Sequence, residues 1–270
     1  WQQAGITLTV SVNISAHHLQ QVDFSDRLKI LLEQHPNVPP ASLELEVLES
    51  SALEDIEHVS TVISACAALG VRFALDDFGT GYSSLIYLKR LPVDVLKIDQ
   101  SFVRDMLHDP GDLSILEGVL GLARAFHREV IAEGVETEAH GRLLLQLGCE
   151  QAQGYGIARP MPAEAVAAWA KQWSAPDAWK QTDRLQPQDI ELLYAASEHR
   201  AWLDGLEVFL RGESSAPPET DAHRCRFGQW LDRKNARTGE ADPLSAIAEL
   251  HEVLHSHGED VISRHIAGDK

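Results

Sequence analysis

The chain has 270 residues, 44% of them hydrophobic, and a formal net charge of -18. That length supports a sizeable core and two domains, while the acidic balance excludes the basic footprint that DNA or RNA binding needs. Three widely spaced cysteines, Cys66, Cys149 and Cys225, exclude a disulfide scaffold and fit a reducing, cytoplasmic compartment.

From residue 7 to about 165, short β-rich runs alternate with amphipathic helical runs. The strand candidates, in order, are LTVSVNI, LELEVLE, RFALDD, VLKID, VIAEG and QAQGYGI. Between them, ALEDIEHVSTVISACAALG has apolar spacing near 3.6 and stops at Gly70, LSILEGVLGLARAFH reads the same way, and TEAHGRLLLQLG runs from a cap at Thr137 to Gly148. Repeated βα units mean a mostly parallel sheet covered by helices. Six strands fall short of the eight that close a (β/α) barrel. The expectation is a TIM-barrel-like fold whose first strands precede this chain, with an open doubly wound sheet as the competing architecture. The chain starts at Trp1 without a methionine, which fits a piece of a longer protein with a sensory or membrane-tethered portion upstream. No run approaches the roughly 18 apolar residues of a membrane span.

After Pro162 the pattern changes. AEAVAAWAKQW reads as the helix closing the first domain, and SAPDAWKQTDRLQPQD as a linker. DIELLYAASEHRAWLDGLEVFLRG, CRFGQWLDR and DPLSAIAELHEVLHSHGEDVISRHIAG read as helices, the last with Pro243 near its first turn. The expected domains are residues 1–175, a linker over 176–186, and an all-α bundle over 187–270.

Polar residues gather where the strands stop: Asn13, Glu46 and Glu49, Asp76 and Asp77, Lys97 and Asp99, Glu133, and Gln153. Successive positions lie one βα unit apart, so parallel strands bring them to one face, where barrel sites sit. Singly, an Asp-Asp before glycine is usually a turn and a Glu after a strand a helix cap. Several carboxylates in one cavity repel each other unless protons or cations intervene, and oxygen ligands with one amide suit Mg²⁺ or Mn²⁺. Asp76 and Asp77 serve one site only if the strand breaks there, which Gly79 and Gly81 allow. Two such ions activate a water and stabilise the leaving oxygen of a phosphodiester, and Lys97 suits the developing charge.

SVNIS, LELEVLES, ALDDFGTGYSSLIYLKRLPVDVLKIDQSF, IAEGVET and QGYGIARPMP together resemble the EAL-type cyclic di-GMP phosphodiesterase family over residues 1 to about 172. The resemblance implies hydrolysis of cyclic di-GMP to linear pGpG with two Mg²⁺ or Mn²⁺ ions on a modified barrel, and a homodimer through that barrel. It implies Asn13, Glu46, Asp76, Asp77 and Glu133 as metal ligands and Lys97 as holder of the attacking water. Glu49 corresponds to the glutamate anchoring the loop from Phe78 to Ser84, and Gln153, Pro160 and Asp99 are expected on the substrate side. The family's Glu-Ala-Leu signature, and an arginine of that strand that contacts phosphate, belong upstream of SVNIS. Their absence from this sequence keeps a non-catalytic cyclic di-GMP receptor as the alternative reading, and an upstream sensory or diguanylate-cyclase-like domain is expected.

The C-terminal part holds a second constellation. His251 and His255 are i,i+4 on one helix face, Cys225 begins a short helix, and His199 lies inside a long one. A His₃Cys set suits tetrahedral Zn²⁺. The pattern HRAW, CRFGQWL, HEVLH resembles the chemoreceptor zinc-binding domain over about 187–260, which implies those four residues as ligands, Trp202, Gly228 and Trp230 as packing residues, and zinc control of the attached domain.

Overall fold

All six expected strands form and join one parallel sheet, in a computed structural model that describes residues 1, 4–52, 55–80, 85–186, 189–235 and 244–268. They are β1 (Val10–Asn13), β2 (Leu43–Leu48), β3 (Arg72–Phe78), β4 (Val95–Ile98), β5 (Glu129–Ala132) and β6 (Gln151–Ala152). Each strand pairs with its sequence neighbour, in the order β1 to β6. A doubly wound sheet reverses order at a switch point, whereas sequential parallel order is that of a (β/α) barrel. The fold is therefore a half-barrel with β1 and β6 at its edges, and the doubly wound alternative is excluded. Gly81 and Pro243 lie outside the described residues.

The chain forms two compact units, one of Trp1–Arg104 with Ser114–Arg184, the other of Asp105–Leu113 with Leu185–Lys270. The first holds the sheet and α1 (Ala16–Leu19), α2 (Phe24–Gln34), α3 (Glu49–Ala52), α4 (Ile56–Ala67), α5 (Leu85–Arg90), α6 (Gln100–Asp105, its last residue clustering with the other unit), most of α7 (Pro110–Ala125), α8 (Glu138–Leu147), α9 (Ala163–Gln172) and α10 (Asp177–Lys180). The long ALEDIEHV run forms α4, which Asp55 caps by accepting from the His58 N–H, and shares only Ala52 with α3. Thr137 caps α8 in the same way, and Gly148 ends it in the left-handed region at φ 84. No helix among the described residues is long and apolar enough to cross a membrane.

Ladder partners share a face of a parallel sheet, and here the two faces differ chemically. Leu45, Val47, Phe73, Leu75, Leu96 and Ile98 are buried on the helix-covered side, where α4 packs on β3. The inner side carries Glu44 and Glu46, Arg72 and Asp76, Lys97 and Glu129. Its lower tier is tied by Ser11 donating to Glu44 at 2.9 Å and by the Arg72–Glu129 ion pair at 2.9 Å.

Two expectations need correction. The QAQGYGI run contributes only Gln151–Ala152 to the ladder. Beyond it the backbone closes on its neighbour: a Cβ at Gly154 would sit 2.3 Å from the Val135 carbonyl oxygen. The 176–186 stretch, expected as a linker, is partly structured. α10 packs on α8, where the Trp179 indole N–H donates to the Glu138 carbonyl at 2.8 Å and the ring covers Gly141.

In the second unit, α11 (Ile190–Leu210) packs on α12 (Arg226–Asn235) and α13 (Leu244–Ala267). Glycines set two close approaches. Gly258 lets the Trp202 ring lie where a Cβ would be 2.3 Å from it, and a Cβ on Gly228 would sit 1.8 Å from the Ala222 carbonyl oxygen. A backbone oxygen cannot swing away as a side chain does, so Gly228→Ala is expected to destabilise this unit by about 1–3 kcal/mol in urea unfolding. Gly205→Ala in α11, with nothing within 4 Å, is the control, expected to stabilise by about 0.5–1 kcal/mol.

Candidate functional site

The carboxyl ends of β2, β3, β4 and β5 converge on one lysine. Lys97 Nζ lies 2.9 Å from Glu46 Oε1, 3.1 Å from Asp76 Oδ1 and 2.5 Å from Glu133 Oε1. Its side chain is 4% exposed. Burial works against its charge, but Glu133, Glu46 and Asp76 outweigh that and raise its pKa above the ordinary lysine value. One cation thus faces three carboxylates. Glu133 shows the shortfall: burial, then the charges of Asp76 and Glu46, push its pKa up despite Lys97. Gln153, exposed after β6, donates its amide to Glu133 Oε1 at 2.5 Å. Asn13 ends β1 level with Glu46 and is exposed. Pro160 lies exposed between β6 and α9.

The strand does break at the Asp76–Asp77 pair, with Asp77 itself and the expected Gly79 both at positive φ. Asp77 has φ 55, and the β3–β4 register shifts between Leu75 and Phe78. Asp is among the few residues that tolerate this region. The turn is closed by the Thr80 hydroxyl donating to the Asp77 carbonyl at 2.9 Å. The break lets Asp76 and Asp77 serve one place: ligand oxygens of Asp76, Asp77 and Glu133 lie within 4.8 Å of one another. Burial and then the Asp76 and Asp99 charges raise the Asp77 pKa. Asp99 moves the other way: burial raises it, and hydrogen bonds from Ser101 and Asp77 more than reverse this. Glu49 accepts from the Gly79 N–H at 3.0 Å, at the head of the loop whose residues 81–84 lie outside the described set. An all-oxygen donor set with more negative charge than Lys97 neutralises fits a hard divalent cation.

The second cluster is different in kind. Ligand atoms of His199, Cys225, His251 and His255 lie within 4.8 Å of one another. His199 Nδ1 is 2.6 Å from the Ala195 carbonyl and His255 Nδ1 is 3.1 Å from the Thr220 carbonyl. A carbonyl only accepts, so both Nδ1 atoms carry the proton and both Nε2 lone pairs are free. Those two Nε2 atoms are buried without a hydrogen-bond partner. His251 Nε2 is 3.2 Å from Cys225 Sγ, and Sγ accepts from the Gly228 N–H at 3.2 Å. Burial, then His255 and His199, depress the His251 pKa to about 4. Burial raises the Cys225 thiol, with the Gly228 and Phe227 N–H groups opposing it. Neutral imidazoles with inward lone pairs and a cysteine fit tetrahedral Zn²⁺. The remaining histidines of the C-terminal part are not in the cluster: His223 is exposed beside Asp232, His257 bonds back to Val253, and His265 packs on Phe209.

What sequence reading missed is the support around these groups. Ser101 clamps Asp99, and the Ala195 and Thr220 carbonyls orient the histidines. Only the first had a local signal, a serine two residues beyond an aspartate at a helix start.

A parallel half-barrel with carboxylates and a buried lysine at its strand ends is thus joined in one chain to a helical unit with a His₃Cys cluster. A family model described as EAL domain matches residues 1–160, and one described as chemoreceptor zinc-binding domain matches 199–262. The chain belongs to the EAL domain family. It is 42% identical over 159 residues to the bifunctional diguanylate cyclase/cyclic di-GMP phosphodiesterase MucR of Pseudomonas aeruginosa, covering 59% of this chain and 23% of that protein. It is 40% identical over 173 residues to the cyclic di-GMP phosphodiesterase PdeR of Escherichia coli, covering 64% and 26%. The chain thus spans about a quarter of these curated relatives. Among solved structures, a c-di-GMP complex of the PaMucR phosphodiesterase aligns with TM-score 0.56 at 42% identity, covering 58% of this chain and 64% of that one. The EAL domain of Mycobacterium smegmatis DcpA aligns with TM-score 0.61 at 38% identity, covering 65% and 79%.

Proposed function

We propose that this chain contributes, within its complete protein, the hydrolytic site of a cyclic di-GMP phosphodiesterase yielding linear pGpG. The observation that carries the reading is Lys97, which joins carboxylates from three other strand ends at one buried point. Asn13, Glu46, Asp76, Asp77 and Glu133 would hold two Mg²⁺ or Mn²⁺ ions. Such ions, when bound, supply an attacking hydroxide at neutral pH and stabilise the leaving oxygen. The chain's own residues do the rest. Lys97 holds Glu46, Asp76 and Glu133 in place with its three N–H donors, and one of these would pass to an attacking water or to charge growing on the phosphoryl oxygens once a carboxylate turned to a cation. Gln153 fixes Glu133, and Glu49 holds the Gly79 amide, so the loop beyond Phe78 starts from a fixed point.

Zinc on His199, Cys225, His251 and His255 is proposed to regulate that site. Chain connectivity supports this. Asp105–Leu113, which continues from α6, belongs to the helical unit, where Arg200, next to His199, donates to the Leu107 carbonyl at 3.1 Å. A homodimer through the barrel and an upstream sensory or cyclase-like domain complete the proposal. The test is product analysis of the complete protein with cyclic di-GMP and Mn²⁺. Linear pGpG is the expected product; tight binding with no product would favour a receptor instead.

A further inference from the structure

We infer that Ser101, with Phe102, is a positioning residue for the barrel metal site, acting through Asp99 and Gly79 on the broken end of β3. This inference rests on the metal reading proposed above.

The argument starts from Asp77. Its φ of 55 is sparsely populated for a residue with a side chain, so the carboxylate turns toward Asp76 and Glu133 only while its surroundings hold the turn. Asp99 lies beside Asp77, where the two carboxyl groups can share a proton while no cation is bound. Asp99 in turn is fixed twice on one oxygen: the Ser101 N–H donates to Oδ1 at 2.9 Å, and the Ser101 hydroxyl donates to the same atom in a shorter contact. A carboxylate bonded twice from a helix start cannot rotate freely. The next residue meets the same strand end. Phe102 Cε2 lies 3.1 Å from where a Cβ of Gly79 would be, and Gly79 has φ 103. Gly79 is therefore favoured by its backbone conformation, with Phe102 packed tightly against it, and its N–H points to Glu49. Gln100 closes the other side: a Cβ on Gly134, the neighbour of Glu133, would lie 2.6 Å from its Cβ.

The first turn of α6 thus touches both flanks of the mouth. It is itself anchored, because Val103 and Met106 are fully buried. The arrangement matches the physics of metal sites, where groups that hold the ligands tune affinity as strongly as the ligands' identity allows. It also gives Asp99 a supporting task beside the substrate-side place expected from sequence.

The test uses Ser101→Ala and Ser101→Thr in the complete protein with the helical site preloaded with zinc. Manganese uptake is followed by electron paramagnetic resonance, alongside kcat and the manganese dependence of the rate. Ser101→Ala is expected to weaken manganese binding by about tenfold, with most of the rate returning at saturating manganese. Ser101→Thr, which keeps the hydroxyl, is expected to restore the affinity, and the metal-free melting temperatures of all three are expected to agree. Unchanged affinity in Ser101→Ala, or a loss that threonine does not repair, overturns the inference. A wild-type protein that takes up no manganese overturns the metal reading itself, and this inference with it.

Discussion

Lys97→Met is expected to slow cyclic di-GMP hydrolysis by about 10²–10³-fold and, in the same protein, to destabilise the metal-free barrel by about 3–5 kcal/mol. Both effects have one cause. Glu46 is 8% exposed at its side chain, Asp76 12% and Glu133 17%, and all three meet Lys97 Nζ. Removing the ammonium leaves three carboxylates in a largely desolvated space without their common counter-charge. The distinctive part of the expectation is its reversal. Mn²⁺ is expected to recover more stability in Lys97→Met than in the wild type, because the added cation replaces missing charge. The rate is not expected to recover, since no N–H donor returns. Thermal melts with and without Mn²⁺ measure the first, and product formation measures the second. An equal gain of stability from Mn²⁺ in both proteins would show that Lys97 is not the counter-charge of this site.

Removing zinc from the helical unit is expected to lower its melting temperature by roughly 10 °C or more, since the binding free energy of a four-ligand structural zinc enters folding directly. Without the ion, the Nε2 atoms of His199 and His255 are buried with no partner, a state that costs about 1–3 kcal/mol per group. Cys225→Ala is expected to reproduce the effect of chelation and to make the protein insensitive to chelator. The pH dependence of the zinc-free protein follows from His251, whose pKa burial and its histidine neighbours depress to about 4 from the ordinary 6.5. The folded form binds fewer protons than the unfolded form. Its contribution is therefore fully present above pH 6.5 and is lost as the pH falls through about 4. Circular dichroism melts between those values are expected to show falling stability with falling pH. The opposite slope would mean that His251 is not held neutral in the bundle.

Much of this molecule is legible before any coordinates. The β-rich runs and their terminal carboxylates mark strand ends because a buried parallel strand is mostly apolar between its two ends. Glu46, Asp76, Lys97 and Glu133 stand out for that reason, and they do meet. What stays hidden is set by backbone geometry between distant segments. The break in β3 is legible at Gly79, which sits at φ 103, but not at Asp77, whose φ of 55 only the fold reveals. The QAQGYGI run alternates like a strand, yet its glycines serve a close approach to Val135 and Glu136 and end the ladder early. Trp179 looks like a residue in a polar linker, but its partner, Gly141, is a bare patch on α8 with no signal in sequence. In the bundle the i,i+4 spacing of His251 and His255 is visible, whereas the carbonyls that fix the imidazole tautomers are backbone atoms that any sequence supplies.

Anomalous diffraction at the manganese edge, from crystals of the complete protein grown with Mn²⁺, tests the central claim most directly. Paired peaks within bonding distance of Asp76, Asp77 and Glu133, with Lys97 displaced from none of its carboxylate strands, are the expected result. Manganese bound elsewhere, or ordered carboxylates around Lys97 with no peak between them at saturating metal, would contradict the account.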